Sequence, residues 1–154
     1  MLRYVSYDIV FQEVPGEVTL AINIANCPNR CKGCHSPHLQ EDTGETLNES
    51  VLSAWLEKYG NAITCICFMG GDAEPHEVGQ LADFIRKQNG NIKTAWYSGK
   101  NVLPEGVSPM SFDYIKLGAY VESLGGLNVP ATNQRFYHIV KGKMIDKTNS
   151  FHKL

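Results

Sequence analysis

Residues 62–99 read AITCICFMGGDAEPHEVGQLADFIRKQNGNIKTAWYSG, and this stretch indicates the fold class of the chain. The apolar run Ala62–Phe68 predicts a buried strand, and Ile92–Tyr97 predicts a second one. Between them, Pro75–Gln88 has apolar residues at helical spacing and begins with a proline, which suits the first turn of a helix. A strand, a helix and a further strand in this order are typical of parallel strands joined by a right-handed crossover.

The segments on both sides of this unit contain similar signals. They predict a hairpin of Arg3–Val10 and Glu17–Ala25, a helix over Leu47–Tyr59, a strand at Tyr114–Leu117 and a C-terminal hairpin of Phe136–Val140 and Met144–Lys147. Four or so strand–helix units are too few to close an eight-stranded barrel. We therefore expect a single α/β domain over residues 1–154, built as a partial, open β/α barrel with small peripheral hairpins.

The composition narrows the classes of function. A net charge of -2 provides no electrostatic basis for binding nucleic acid or an anionic membrane. The apolar stretches are too short to span a bilayer, and the N-terminus lacks the apolar core of a secretory signal. We therefore expect a cytoplasmic protein that binds neither nucleic acid nor membranes.

Three of the five cysteines are clustered in residues 26–37, which read NCPNRCKGCHSP. These three are Cys27, Cys31 and Cys34. An odd number of cysteines without an export signal argues against disulfides, and the clustering of three points to a metal. Iron–sulfur clusters take soft thiolate ligands, and three of them would leave one iron of a four-iron cluster open to a small molecule. Two alternatives stay open: zinc with His35 or His38 as the fourth ligand, and three ordinary loop thiols.

The predicted topology brings three loops to one edge of the sheet. The cysteine segment, Gly70-Gly71-Asp72 and Ser98-Gly99 each follow a predicted strand, and the carboxyl ends of parallel strands share one edge. Glycines allow backbone conformations closed to other residues, so main-chain groups there can approach a ligand closely. Taken alone, Gly-Gly-Asp is more often a turn, and Ser98 is as readily a helix cap.

The spacing Cys-x-x-x-Cys-x-x-Cys resembles the signature of the radical S-adenosylmethionine (SAM) superfamily, in which the amino and carboxylate groups of SAM bind the fourth iron. Gly33 between the last two cysteines and His35 after the third are similar to the activating enzymes of glycyl-radical proteins. The resemblance implies a barrel of the radical SAM type, a [4Fe-4S] cluster on the three cysteines, and SAM as cofactor. It assigns cofactor binding to Gly33, Cys34, His35, Gly70, Gly71, Asp72 and Ser98.

The resemblance also suggests roles for individual residues. Gly70-Gly71-Asp72 stands where the superfamily has Gly-Gly-Glu, whose backbone holds the SAM ammonium. Tyr97-Ser98-Gly99 resembles Tyr-Thr-Gly, so the Ser98 hydroxyl could bond the SAM carboxylate or ribose. Lys116 lies near a position where some relatives contact SAM, and we expect it to be solvated. Cys65 and Cys67 share one face of a strand, and we expect them to fill the core rather than to face the cluster.

The C-terminal third resembles one group of activating enzymes. Residues 113–122, which read DYIKLGAYVE, and Thr132-Asn133-Gln134-Arg135 are similar to the anaerobic ribonucleoside-triphosphate reductase activating proteins, with Leu117 and Ala119 in place of the usual Asp and Pro. The resemblance implies that reductive cleavage of SAM yields a 5′-deoxyadenosyl radical, which takes a hydrogen from a glycine of the reductase. The cofactors carry this chemistry, so no catalytic acid or base is expected beyond the cluster and SAM.

The partners implied are the glycine-bearing loop of the reductase large subunit and a flavodoxin- or ferredoxin-type electron donor. Two alternatives remain for the function. One is a pyruvate formate-lyase type activating enzyme, which has the same chemistry and a different glycyl partner. The other is a non-catalytic zinc-binding module.

Overall fold

The computed structural model describes residues 1–25 and 44–151, and within these ranges it contains one mixed sheet of eight strands and two α-helices. The strands are β1 (Arg3–Val10), β2 (Thr19–Ile24), β3 (Glu45–Thr46), β4 (Cys65–Met69), β5 (Lys93–Tyr97), β6 (Tyr114–Leu117), β7 (Arg135–Val140) and β8 (Lys143–Asp146). The helices are α1 (Glu49–Tyr59) and α2 (Pro75–Gln88), and short 3₁₀ helices occur at Pro109–Ser111 and Thr148–Phe151.

The strand order is β3-β1-β2-β4-β5-β6-β7-β8. The neighbours β2, β4, β5 and β6 run parallel to one another. Antiparallel strands continue the sheet at both sides, with β1 and β3 next to β2 and with β7 and β8 next to β6. The centre of the sheet is therefore a parallel α/β unit, and its margins are antiparallel.

The predicted open β/α barrel is wrong. Instead of adding strand–helix units around a barrel, the chain pairs its terminal segments with the outer parallel strands, so the result is a mixed open sheet. The strands of both predicted hairpins exist, but they continue this sheet rather than standing beside a barrel. Strands at the margin of a parallel sheet commonly pair in this antiparallel way because their backbone groups need partners.

The predicted helices are confirmed. Helix α2 has the predicted bounds, and its inward residues Val78, Leu81 and Ile85 are buried. Helix α1 begins at Glu49 because the Asn48 side chain accepts a hydrogen bond from the Val51 N–H over 3.0 Å and caps the helix. Strand β4 begins at Cys65, three residues after the predicted start at Ala62.

The two faces of the sheet differ in what covers them. Both helices pack on one face against alternate residues of the central strands, which include Leu20, Ile22, Ile66, Phe68, Trp96 and Ile115. Successive strand residues point to opposite faces, so the residues between them form a second cluster. This second cluster contains Val14, Cys65, Cys67, Ala95, Tyr114 and Phe136. Neither α1 nor α2, the α-helices of the described residues, has the length and apolar composition of a membrane-spanning segment.

The edge of the sheet where the parallel strands begin holds a buried acidic residue, Glu17. Its carboxylate accepts hydrogen bonds from Lys93 Nζ over 2.8 Å, from the Tyr114 hydroxyl over 2.7 Å and from Thr64 Oγ1 over 2.7 Å. Burial acts to raise the pKa of Glu17, but the bonds from Lys93, Tyr114 and Thr64 outweigh it, so the pKa is lowered. This network ties together the starts of the central strands.

Candidate functional site

The parallel strands end at Ile24, Met69, Tyr97 and Leu117, and the segments that follow them emerge at the same edge of the sheet. The cysteine segment follows β2. Its predicted site residues Cys27, Cys31, Gly33, Cys34 and His35 lie outside the described residues. The predicted convergence is confirmed for Asp72 and Ser98, which the structure brings into direct contact.

Asp72 joins the segment after β4 to the segment after β5. Its Oδ1 accepts a hydrogen bond from the Ser98 hydroxyl over 2.6 Å, and its Oδ2 accepts one from the Gly99 N–H over 2.8 Å. Ser98 is fully buried and Asp72 is 9% exposed, so these bonds to a charged group are shielded from water. The Asp72 carboxylate therefore holds the Ser98-Gly99 turn against the Gly-Gly-Asp segment.

Gly70 and Gly71 adopt conformations that only glycine enters readily. Their φ angles are +111° and +93°. A Cβ atom at Gly71 would lie 2.6 Å from Val78 Cγ2, and one at Gly70 would lie 3.2 Å from the Ile24 carbonyl oxygen. The sequence predicted close approach to a ligand as the reason for these glycines, whereas the contacts that exclude a side chain come from the protein's own core.

The Gly70 peptide is fixed by β5. Its N–H donates to the Tyr97 carbonyl oxygen over 3.0 Å, and its carbonyl oxygen accepts from Trp96 Nε1 over 2.7 Å. Trp96 is fully buried and stacks on Phe112, so this donor has little freedom. A carbonyl oxygen has two lone pairs, so Gly70 keeps the capacity to accept a second bond from a ligand ammonium.

Lys116 does not have the environment that its sequence context suggested. We expected a solvated side chain, but Lys116 is 9% exposed. Its Nζ donates to the carbonyl oxygens of Ser98 over 2.9 Å and of Gly118 over 3.0 Å. The sequence did contain a signal for this burial, because Lys116 lies within the otherwise apolar strand Tyr114–Leu117. In the structure, all four residues of that strand are buried.

The Thr132-Asn133-Gln134 segment packs on the chain that follows β6. Asn133 Nδ2 donates to the Ala119 carbonyl oxygen over 3.0 Å, and Gln134 Nε2 donates to that of Gly118 over 3.4 Å. The sequence marked this segment only by resemblance and assigned it no site role. The structure places it against the end of β6, at the same edge as Ser98 and Asp72.

Cys65 and Cys67 fill the core, as predicted. Both are fully buried in the cluster that contains Val14 and Phe136. Burial raises the pKa of both thiols, and the Glu17 carboxylate raises that of Cys65 further. Fully buried thiols of this kind are typical of core residues rather than of reactive or metal-binding cysteines. Across residues 1–25 and 44–151, no three His, Cys, Asp or Glu side chains are grouped so that they could hold a metal ion.

Comparison with protein families identifies what kind of domain this is. The family described as "4Fe-4S single cluster domain" matches residues 14–103, which is more than half of the chain. The chain belongs to the 4Fe-4S single cluster domain family. No curated protein and no solved structure matches it.

As a 4Fe-4S single cluster domain, the protein is an iron–sulfur protein, and this favours the cluster over the zinc alternative. The matched region includes Cys27, Cys31 and Cys34 together with the segments that follow β4 and β5. Three thiolates are the soft donors that a four-iron cluster requires, so the chemistry of this donor set fits the group. Cys65 and Cys67 are also within the match, but their burial argues against a ligand role.

Proposed function

We propose that this 4Fe-4S protein is a radical SAM activase that cleaves SAM reductively and generates a glycyl radical on anaerobic ribonucleotide reductase. The observation that carries the proposal is where β2, the strand that precedes the cysteines in the sequence, comes to an end. It ends at Ile24, at the sheet edge where Asp72 and Ser98 meet. Ligands of open α/β sheets bind at this carboxyl edge, where loops from several strands share one site.

Within this proposal, Cys27, Cys31 and Cys34 would hold the cluster and leave one of its irons without a protein thiolate. When bound, the cluster would supply the electron for cleavage of SAM. The chain's own residues would bind SAM and orient it. The remaining lone pair of the Gly70 carbonyl oxygen suits the SAM ammonium, and the nearby Asp72 carboxylate adds complementary charge.

The substrate in this proposal is a protein. In the described residues, the carboxyl edge is built from the segments that follow the strands, and the helices cover one face of the sheet rather than this edge. An edge of this kind suits a macromolecular substrate, whose loop can complete the site and exclude water from the radical. We propose the glycine-bearing loop of the reductase large subunit as that substrate. We propose a flavodoxin- or ferredoxin-type protein as the electron donor.

The test is anaerobic incubation of the reconstituted protein with the reductase large subunit, SAM and a reductant, followed by electron paramagnetic resonance. The expected result is a stable glycyl radical on the reductase and slow SAM cleavage when the reductase is left out. A reductase whose radical-bearing glycine is replaced by alanine is the matched control and should show no radical. If a metabolite alone stimulated SAM cleavage fully and no protein radical formed, the activase function would be wrong.

The same assay separates the activase alternatives. Replacing the reductase by pyruvate formate-lyase tests the related activating enzyme, because the chemistry is shared and only the glycyl partner differs. A radical on pyruvate formate-lyase and none on the reductase would reassign the partner and leave the SAM chemistry in place.

A further inference from the structure

Lys116 is a lysine in the interior of the protein. Lysine is rarely buried without a partner, because moving an ammonium out of water is unfavourable unless polar groups replace the water. Here at least two carbonyl oxygens do so, those of Ser98 and Gly118. The ammonium also lies 5.7 Å from the centroid of the Tyr97 ring, within the range of a cation–π contact.

The two carbonyl groups belong to different loops. Ser98 follows β5 and Gly118 follows β6, so one ammonium fixes the separation of two segments at the carboxyl edge. Ser98 has a second partner, because its hydroxyl donates a hydrogen bond to Asp72 in the segment after β4. Lys116 and Asp72 therefore act on the same residue through different atoms.

We infer that Lys116 is a positioning residue for SAM, which acts by holding the segments after β5 and β6 in the conformation that the cofactor binds. The inference rests on the proposed function. A site whose loops are already ordered loses less conformational entropy when its ligand binds, and this gain appears as affinity. The alternative is a direct contact between the Lys116 ammonium and SAM.

The two roles differ in how Lys116 couples to Asp72. If both residues act by fixing Ser98, removing one already frees the segment, so removing the second adds little. If Lys116 contacts SAM directly, its loss adds to the loss of Asp72, because independent contributions to affinity multiply. The comparison needs the SAM affinity of Lys116→Met, Asp72→Asn and the double variant.

The experiment measures SAM binding to anaerobically reconstituted protein together with its iron content. Lys116→Met is expected to keep about four irons per chain and to bind SAM about tenfold more weakly. Asp72→Asn is expected to show a similar loss, and the double variant should be no weaker than about the poorer single one. Lys87→Met, which removes an exposed lysine of α2, is the matched control and should bind SAM like the wild type.

A second readout does not depend on SAM. Hydrogen–deuterium exchange of the Gly99 and Gly118 amides should be faster in Lys116→Met, because their segments lose a tether. If Lys116→Met does not fold, Lys116→Gln provides the test, since its amide can still donate to a carbonyl oxygen. Its SAM affinity should then lie below that of the wild type, and its exchange should be faster.

Three results would overturn the positioning role. They are wild-type SAM affinity in Lys116→Met, unchanged exchange at Gly99 and Gly118, and losses that multiply in the double variant. Failure of the proposed function is distinguishable from these, because it appears in the wild-type protein itself, either as absent SAM binding or as SAM cleavage that forms no radical on the reductase.

Discussion

The hydroxyl of Ser98 donates to the carboxylate of Asp72 over 2.6 Å, and this bond joins segments that follow two neighbouring parallel strands. The two residues are 26 positions apart in the sequence. A second bond, from the Gly99 N–H to the other carboxylate oxygen, makes the junction bidentate. Asp72 therefore has a structural partner of its own, whatever it contributes to a ligand.

The Ser98–Asp72 bond predicts a measurable contribution to stability. Ser98→Ala removes a donor from a buried carboxylate, and hydrogen bonds to charged groups contribute roughly 1.5–3 kcal/mol. We expect the free energy of unfolding, measured by urea denaturation, to fall by about that amount. Ser53→Ala, at an exposed position of α1, is the control and should be neutral or slightly stabilising. Equal stability of Ser98→Ala and the wild type would show that this bond contributes nothing.

We predict that any side chain at position 71 lowers the stability of the fold. In Gly71→Ala the Cβ would overlap Val78 Cγ2 at 2.6 Å, and the φ of +93° is unfavourable for alanine. Overlap in a packed core and the left-handed backbone together should lower the free energy of unfolding by about 2 kcal/mol or more. Gly90→Ala is the matched control, because nothing lies within 4 Å of a Cβ placed there. Urea denaturation of both variants checks this, and a neutral Gly71→Ala would contradict the packing seen here.

Glu17 predicts a pH-dependent part of the stability. Its pKa is lowered in the folded protein, so its stabilisation is fully present above the ordinary value of 4.5 and is lost as the pH falls through the lower folded value. We expect Glu17→Gln to be less stable than the wild type by about 2 kcal/mol at neutral pH, because a charged acceptor is lost. The difference should shrink as the pH falls below 4.5. A difference that stays constant across this range of pH would exclude the ionic contribution.

We predict that the three clustered cysteines are ligands of the iron–sulfur cluster and that Cys65 and Cys67 are not. Cys27→Ala, Cys31→Ala and Cys34→Ala should each lose the cluster, because three thiolates already leave one iron without a protein ligand and the loss of another leaves too few to hold it. Cys65→Ala and Cys67→Ala should retain about four irons per chain, because both thiols are buried and their pKa values are raised. Iron analysis and the visible absorbance of reconstituted proteins check this. Loss of iron from Cys67→Ala with retention in Cys31→Ala would reverse the assignment.

Much of the local structure could be predicted from the sequence. Helix α2 has the predicted bounds because its apolar stripe and its initial proline are local signals. The alternation in β2 and the apolar run of β4 predict strands for the same reason, since side-chain periodicity follows from strand geometry. The cysteine spacing is also local, and it pointed to the iron–sulfur class that the family match supports.

What the sequence could not determine is the pairing of distant segments. The open barrel was predicted from the number of strand–helix units, but β7 and β8 pair beside β6, and β1 pairs beside β2. Backbone hydrogen bonds between strands are available to any sequence of suitable pattern. The choice of neighbours therefore depends on the whole chain rather than on any one segment.

The same reason separates the site residues that were predicted from those that were missed. Asp72 and Ser98 were chosen from local motifs, and the sequence alone determined that each follows a strand. Only the tertiary structure decided that the Asp72 carboxylate binds Ser98 and Gly99, and that the Lys116 ammonium is buried between two loops. The partners of a polar side chain lie across strands that fold together, and burial follows from what packs around a residue rather than from its neighbours in the chain.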